Sequence, residues 1–256
     1  MTKNIKMKTT NKILIGLLIV ILAISTATMI YIRAQITSAT LIEGSGNTIQ
    51  EQRQLDDYHK LEVRGNIRVN LIPGQTGYMV VTGDDNLLQY LYSEVNQDEV
   101  LKIYVSTLSG SYPYFEIDLY YESIVSINLE ASARLRNQEP LIAEQLNLSV
   151  TSGAFTELIV NAIDTQVQAA AGSQVNLSGT TNTLNLESVA GSQVKAFNLQ
   201  AQSAEVRTTA GAMAEVYANE SIRAHANTGA VIRYKGDPPV KDVSSNTGGT
   251  VNPIGN

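Results

Sequence analysis

The chain has no cysteine and no tryptophan, and its 256 residues include only two histidines, three phenylalanines and six prolines. Without cysteine there can be no disulfide framework, thiolate metal site, cysteine nucleophile or lipidated N-terminal cysteine. His59 and His225 stand too far apart to suggest a metal-binding spacing, and His225, inside IRAHA, reads as a surface or corner residue. Charged residues make up only 16% of the chain against 43% hydrophobic ones, a balance that buries a core rather than leaving the chain disordered. A G-x-S-x-G elbow, a phosphate-binding loop and a basic patch interleaved with aromatics are also missing. Neither a metal nor another cofactor is expected.

What the chain does have, first, is one long uncharged run. Residues Ile13 to Ile32, ILIGLLIVILAISTATMIYI, are enough to cross a bilayer as a helix. Lys3, Lys6, Lys8 and Lys12 precede the run, and no acidic residue occurs up to Ala34, so residues 1–12 should stay cytoplasmic and the bulk of the chain should be exported. The rival reading is a cleaved signal peptide with small residues at Ser25 and Ala27. Cleavage there would leave TMIYI as an apolar new terminus, which favours an uncleaved anchor over residues 13–32. Five of the 18 basic residues lie at or before Arg33 and all 24 acidic ones after it. The exported part therefore carries 13 against 24, a formal charge of −11. Such a surface repels nucleic acid and anionic lipid headgroups.

Beyond a polar tether, residues 33–46, the chain has two grammars. Of twelve tyrosines, ten lie between Tyr31 and Tyr121, whereas the second half is rich in Ala, Ser, Thr, Asn and Gly. Its glycines Gly153, Gly172, Gly191, Gly211, Gly229 and Gly248 are spaced by 19, 19, 20, 18 and 19 residues, and the pentapeptide AGSQV occurs at both Ala171 and Ala190. Each unit opens with an alternating apolar stretch, such as LNLSV from Leu146 or IRAHA from Ile222, and has an apolar residue about three positions after the glycine. Ser132, with Leu135 after it, marks the same place in a degenerate preceding unit. Alternation of this length is strand grammar, and no unit has room for a crossover helix. A period of about 19 residues predicts an all-β fold, a single parallel β-helix (β-solenoid) whose coils stack equivalent residues into ladders. An antiparallel sandwich or a propeller is the alternative, the propeller being weaker because a blade needs ~40 residues.

The region from Asn47 also alternates, through Leu61, Val63, Ile67, Val69 and Leu71, and ends at the turn signal Pro73-Gly74. YMVVTGDDN and VLKIYV read as two more strands, with DDNLLQYL a helical turn capped by Asp84 or Asp85. Residues 47–122 are thus the irregular N-terminal cap and opening coils, and residues 123–256 the repeat coils of one domain.

These elements, GNTIQEQRQLDDYHKLEVRGNIRVNLIPG, VTGDDNLL, VLKIYV, the glycine repeats and YKGDPPV, resemble the auto-transporter adhesin head GIN domain family of Bacteroidetes envelopes over Asn47 to about Val251. Arg53, Tyr58, Leu61, Gly65, the GDDNLL run from Gly83, Tyr234, Gly236 and Pro238 carry the likeness. The resemblance implies a right-handed β-helix, an extracytoplasmic location and an adhesive role, and it brings no catalytic residues. The chain departs from the family's Ser-Gly-Ser-Gly repeat with TSGA, AGSQ, AGAM and NTGA, which blur the turn but keep its central glycine.

Candidate sites are few. Tyr112, Tyr114 and Tyr120 in SYPYFEIDLYY could stack on sugar faces while their hydroxyls stay wet; packing across the cap is the plainer alternative. Asp84 and Asp85 read as turn residues before cation ligands, and Tyr234 with Asp237-Pro238-Pro239 as a late corner. The acids Glu157, Asp164, Glu187, Glu205 and Glu215 fall at different phases of the repeat and build no catalytic ladder. The expectation is a non-enzymatic binding or adhesion module of the cell envelope, facing the periplasm if anchored or secreted if cleaved, with a glycan or an envelope protein as partner. A self-associating envelope scaffold is the second reading, and a carbohydrate-active enzyme the third.

Overall fold

A computed structural model describes residues 9–37, 43–75, 77–106 and 115–255. The apolar segment is a single helix, Thr9–Thr37, and a compact unit apart from the β domain. Its window Leu14–Tyr31 has a mean hydropathy of 2.4, none of it buried, so the helix is long and apolar enough to cross a membrane. The few polar groups along it are satisfied locally, with Ser25 and Thr26 hydroxyls each donating to the Leu22 carbonyl at 2.9 Å.

From residue 44 onward the described chain forms a β-solenoid of about seven turns with about 19 residues per turn. The repeat region is parallel throughout. Long strands, Phe155–Ala169, Gln174–Ser188, Gln193–Thr208 and Met213–Ala226, each lie beside the next in register, with Val175 opposite Val194 and Leu186 opposite Val206. A sandwich or propeller is therefore not what the repeat builds.

Each coil has one tight corner and two open bends. At the tight corner two consecutive residues take positive φ, as in Ala171 (52°) with Gly172 (72°) and Ala190 (52°) with Gly191 (71°), a turn closed by the N–H of Ser173 on the Ala170 carbonyl (3.2 Å) and of Ser192 on the Val189 carbonyl (3.3 Å). Gly153, Gly211, Gly229 and Gly248 hold the same place with φ between 69° and 75°. Ser132 occupies it in the preceding coil at φ 71°, with Ala131 before it at 52°. The next residue points inward against the neighbouring coils, which admit only a small side chain, and this file runs Ala133, Ala154, Ser173, Ser192, Ala212, Ala230, all buried. The two copies of AGSQV are thus one corner repeated in adjacent coils, with Val175 and Val194 stacked in the core.

The opening coils are threaded out of order. Lys60–Arg64 lies between Val100–Val105 and Ser126–Glu130, and Ile67–Pro73 between Phe115–Tyr121 and Arg134–Asn137. The coil first in sequence is therefore second in space. Antiparallel strands close the outer end: Tyr78–Asp84 pairs with Phe115–Tyr121, Thr48–Gln54 with Tyr78–Asp84, and Leu91–Val95 with Val100–Val105. This covering of an otherwise open sheet edge is what a solenoid needs for solubility. Buried Tyr58, Met79, Leu87, Leu91 and Phe115 fill the cap, where the coil widens enough to take large side chains.

The expected helical turn is present as a 3-10 helix, Leu88–Tyr90, but Asp84 and Asp85 do not cap it. Leu87 stands at its N-cap without a side-chain bond. The two carboxylates instead tie down the incoming chain. Gly46 N–H donates to Asp84 Oδ2 (3.1 Å), and the Ser45 hydroxyl and Asn47 amide donate to Asp85 (2.5 and 2.9 Å), holding Asp85 below the usual carboxylate range. Arg53 binds the other end of the 3-10 turn, donating to the carbonyls of Leu91 (2.6 Å) and Leu88 (2.9 Å).

Candidate binding face

Inward positions of each coil alternate with outward ones, so parallel stacking converts every outward residue into a member of a file. One face is uninterrupted from Leu91–Val95 at the cap to Val240–Ser245 at the far end, roughly 40 Å at ~4.8 Å per strand. One of its outward files runs Ser149, Gln168, Glu187, Arg207, His225, Ser244. Its neighbour runs Asn147, Gln166, Asn185, Glu205, Arg223, Asp242. The face is therefore a carpet of amides, hydroxyls and charges of both signs. A shallow depression of about 320 Å³ opens on it between Gln166, Gln168, Asn185, Glu187, Glu205 and Arg207.

Two of the acids in these files, Glu205 and Asp242, are partnered by arginines. Glu205 lies 2.6 Å from Arg207 and 3.5 Å from Arg223, and Arg223 reaches Asp242 at 3.3 Å. Two of the acids scattered in repeat phase, Glu205 and Glu215, reach arginines of the next coil once the coils stack, which periodicity alone does not reveal. His225 is on the surface, its Nδ1 2.8 Å from the Ser244 hydroxyl. His59, likewise on the surface, sits 2.7 Å from the Ser123 hydroxyl and 3.8 Å from Glu99. Among the described residues no group of three or more His, Asp or Glu side chains is placed to hold a metal ion.

Of the three candidate tyrosines, Tyr112 and Tyr114 lie outside the described residues. Tyr120 is half-buried on the outer side of Phe115–Tyr121, its ring stacked on Tyr78 with centroids 4.4 Å apart. Desolvation, with Tyr78 and Asp118 beside it, raises the Tyr120 phenol above its ordinary value. Its backbone carbonyl accepts a 2.7 Å bond from the buried Tyr58 hydroxyl. Sequence reasoning missed a second pair. Tyr92 and Tyr104 are direct cross-strand partners, with rings 5.4 Å apart and 11° from parallel, on the outer surface at the cap end of the long face. Their alternation within LYSEV and VLKIYV marked them as outward, but nothing local said that they face each other.

Elsewhere, Ile142 and Ile163 are 76% and 51% exposed beside Val125 in a groove of about 890 Å³ on the short third side of the coils. At the far end, the register places Lys241 opposite Ile222, at a position that points into the core in the preceding coils, and Lys241 pairs with Asp237 at 2.7 Å. Tyr234 is buried in the last complete coil, and Gly236 approaches Ala218 so closely that a Cβ would lie 2.1 Å from its carbonyl oxygen.

A family model described as "Putative auto-transporter adhesin, head GIN domain" matches residues 57–238. Among solved structures, a putative adhesin from Bacteroides fragilis superimposes with a TM-score of 0.77 at 20% identity, covering 83% of this chain and all of its own. A putative adhesin from Parabacteroides distasonis gives 0.68 at 20%, and a putative lipid binding protein from the same species 0.67 at 21%, each over 84% of this chain and 100% of that one. At these identities the likeness is one of fold. No curated protein matches the chain in sequence.

Proposed function

Because the chain belongs to the auto-transporter adhesin head GIN domain family, we propose that it is a non-enzymatic binding module of the cell envelope that holds an extended partner along its long polar face. The apolar helix fits a signal or anchor segment. On this reading, residues 13–32 hold the protein in the inner membrane with the β domain in the periplasm, and cleavage would release it instead. Sequencing the N-terminus of the mature protein separates the two.

The observation that carries the reading is the uninterrupted face itself. Its files repeat hydrogen-bonding groups at the strand spacing, which suits a polymer lying across several coils better than a small substrate enclosed in a pocket. Glycosidic chemistry needs a protonated carboxyl facing a second carboxylate. Here Glu205 is in contact with Arg207 and Arg223, and Arg207 stands next to Glu187 in register, an arrangement suited to binding. The self-associating scaffold is the weaker reading. The exposed edge strand Val240–Ser245 presents Lys241 at an inward position and Asp242 beside it, charges of the kind that discourage edge-to-edge addition.

The test is an array of neutral and charged glycans and envelope polymers probed with the full chain in mild detergent, with reducing-end release measured in parallel. Retention without new reducing ends is expected. Either an absence of retention on every polymer or the appearance of reducing ends would overturn the proposal.

A further inference from the structure

We propose that Tyr92 and Tyr104 form a stacking platform for a pyranose ring of a neutral glycan, with Arg64 and Glu94 as the polar groups that orient it. The inference rests on the reading of the long face as a binding face and places its anchoring point at the cap end. Four observations converge there. The two rings are nearly parallel on the outer side of an antiparallel pair, and Tyr92 is 46% exposed, so one flat aromatic face remains open to solvent. Neither hydroxyl has a hydrogen-bond partner among the described residues, unlike that of Tyr58, so each is available to a ligand. Arg64 lies next to Tyr104 in register and points outward, and its guanidinium has no ion pair or hydrogen bond among the described residues. A depression of about 650 Å³ adjoins the Tyr104 side of the pair, lined by Glu62, Arg64, Glu94, Lys102 and Tyr104.

The chemistry selects the ligand class. A phenol face offers an apolar plane with a negative π surface to the C–H face of a sugar, while its hydroxyl stays in water. Glu94 can accept from sugar hydroxyls and the Arg64 fork can donate to them. Carboxylates of Glu62, Glu94 and Glu130 outnumber the cations of Arg64 and Lys102 around the rings, in a domain already negative overall, so an acidic sugar is disfavoured. From the platform, the file Glu94, Lys102, Glu62, Asn128 leads in register onto Ser149 and Gln168, giving a chain anchored at Tyr92 a continuous polar track.

A cross-strand aromatic pair also stabilises a sheet edge, and the experiment separates that role from stacking. The full chain in mild detergent is titrated with cellohexaose, mannohexaose and xylohexaose as neutral probes, oligogalacturonate as an acidic one, and a proline-rich peptide as a non-sugar. Tyrosine emission is the readout, unobscured because the chain has no tryptophan. Binding of at least one neutral hexasaccharide is expected, weakened about tenfold or more in Tyr92→Leu and by a similar factor in Arg64→Gln, and within about threefold of wild type in Tyr92→Phe. Circular dichroism of Tyr92→Leu should match wild type, since leucine keeps the apolar cover. Neutral-sugar binding that survives Tyr92→Leu but is lost in Gln168→Ala/Glu187→Ala would overturn the platform while sparing the face. Absence of binding to every probe would overturn both. Preference for oligogalacturonate or for the peptide would overturn the assignment of a neutral glycan.

Discussion

Gly179 and Gly191 look alike in sequence, each following a polar residue or alanine within a repeat, yet they should respond very differently to a methyl group. Gly191 is at the tight corner with φ 71°, and a Cβ built there meets nothing within 4 Å. Alanine in that left-handed conformation costs ~1–2 kcal/mol, offset by ~0.4–1 kcal/mol from the stiffer unfolded chain, so Gly191→Ala should lose about 0.5–1 kcal/mol. The neighbouring Ala190 already bears the same strain at φ 52°, and Ser132 does so at the glycine position of its own coil. Gly179 is instead on an open bend at φ 109°, where a Cβ would lie 2.1 Å from the carbonyl oxygen of Val160 and 2.9 Å from its carbon. The coil below must move and its ladder bonds must distort, so Gly179→Ala should cost at least ~3 kcal/mol. Urea unfolding followed by circular dichroism on the full chain in mild detergent gives both midpoints. Equal shifts for the two variants, or a larger one for Gly191→Ala, would refute the claim that close backbone approach adds to the conformational cost that both positive-φ glycines carry.

Other expectations follow from single buried groups. The Ser173 hydroxyl is buried without a partner in a file otherwise made of alanines and Ser192, so Ser173→Ala should stabilise by about 1 kcal/mol, or ~2–4 °C in Tm. The same change at Ser192, whose hydroxyl bonds the carbonyls of Ala169 (2.9 Å) and Val189 (2.8 Å), should bring no gain in a thermal melt. Burial, then the charge of Tyr121, pushes the Tyr58 phenol up, and burial, then Glu139, raises Tyr121. Both hold their protons more tightly folded than unfolded, so this stability is complete below about pH 10, the ordinary tyrosine value, and is lost as pH rises above it. A urea midpoint that falls above that pH in wild type, and falls less in Tyr58→Phe, checks the sign. Replacing the inward Lys241 by isoleucine removes the charge that guards the terminal edge, and light scattering should then show concentration-dependent association absent from the parent.

Much of the fold was legible because a solenoid is periodic. Gly153 to Gly248 mark one corner, the alternation in LNLSV and IRAHA sorts inward from outward positions, and each coil finds its partner about 19 residues away. Register in such an array is a nearly local property, so a single sequence can state it. The cap was legible only as strands. Its pairings join residues as distant as Thr48 and Asp84 or Ile67 and Phe115 with no repeat to announce them, which hid the out-of-order coil and the meeting of Tyr92 with Tyr104.

By itself, then, the sequence determined that the chain carries a membrane-compatible helix, that the rest is a stack of short strands, and that a glycine marks one corner of each coil. These follow from hydrophobic period and backbone conformation, which neighbouring residues settle among themselves. Only the tertiary structure decided which glycines are indispensable, which acids become ion pairs and where two exposed rings lie parallel. Those depend on distances between coils, fixed when one layer settles on another and invisible while the chain is read along its length.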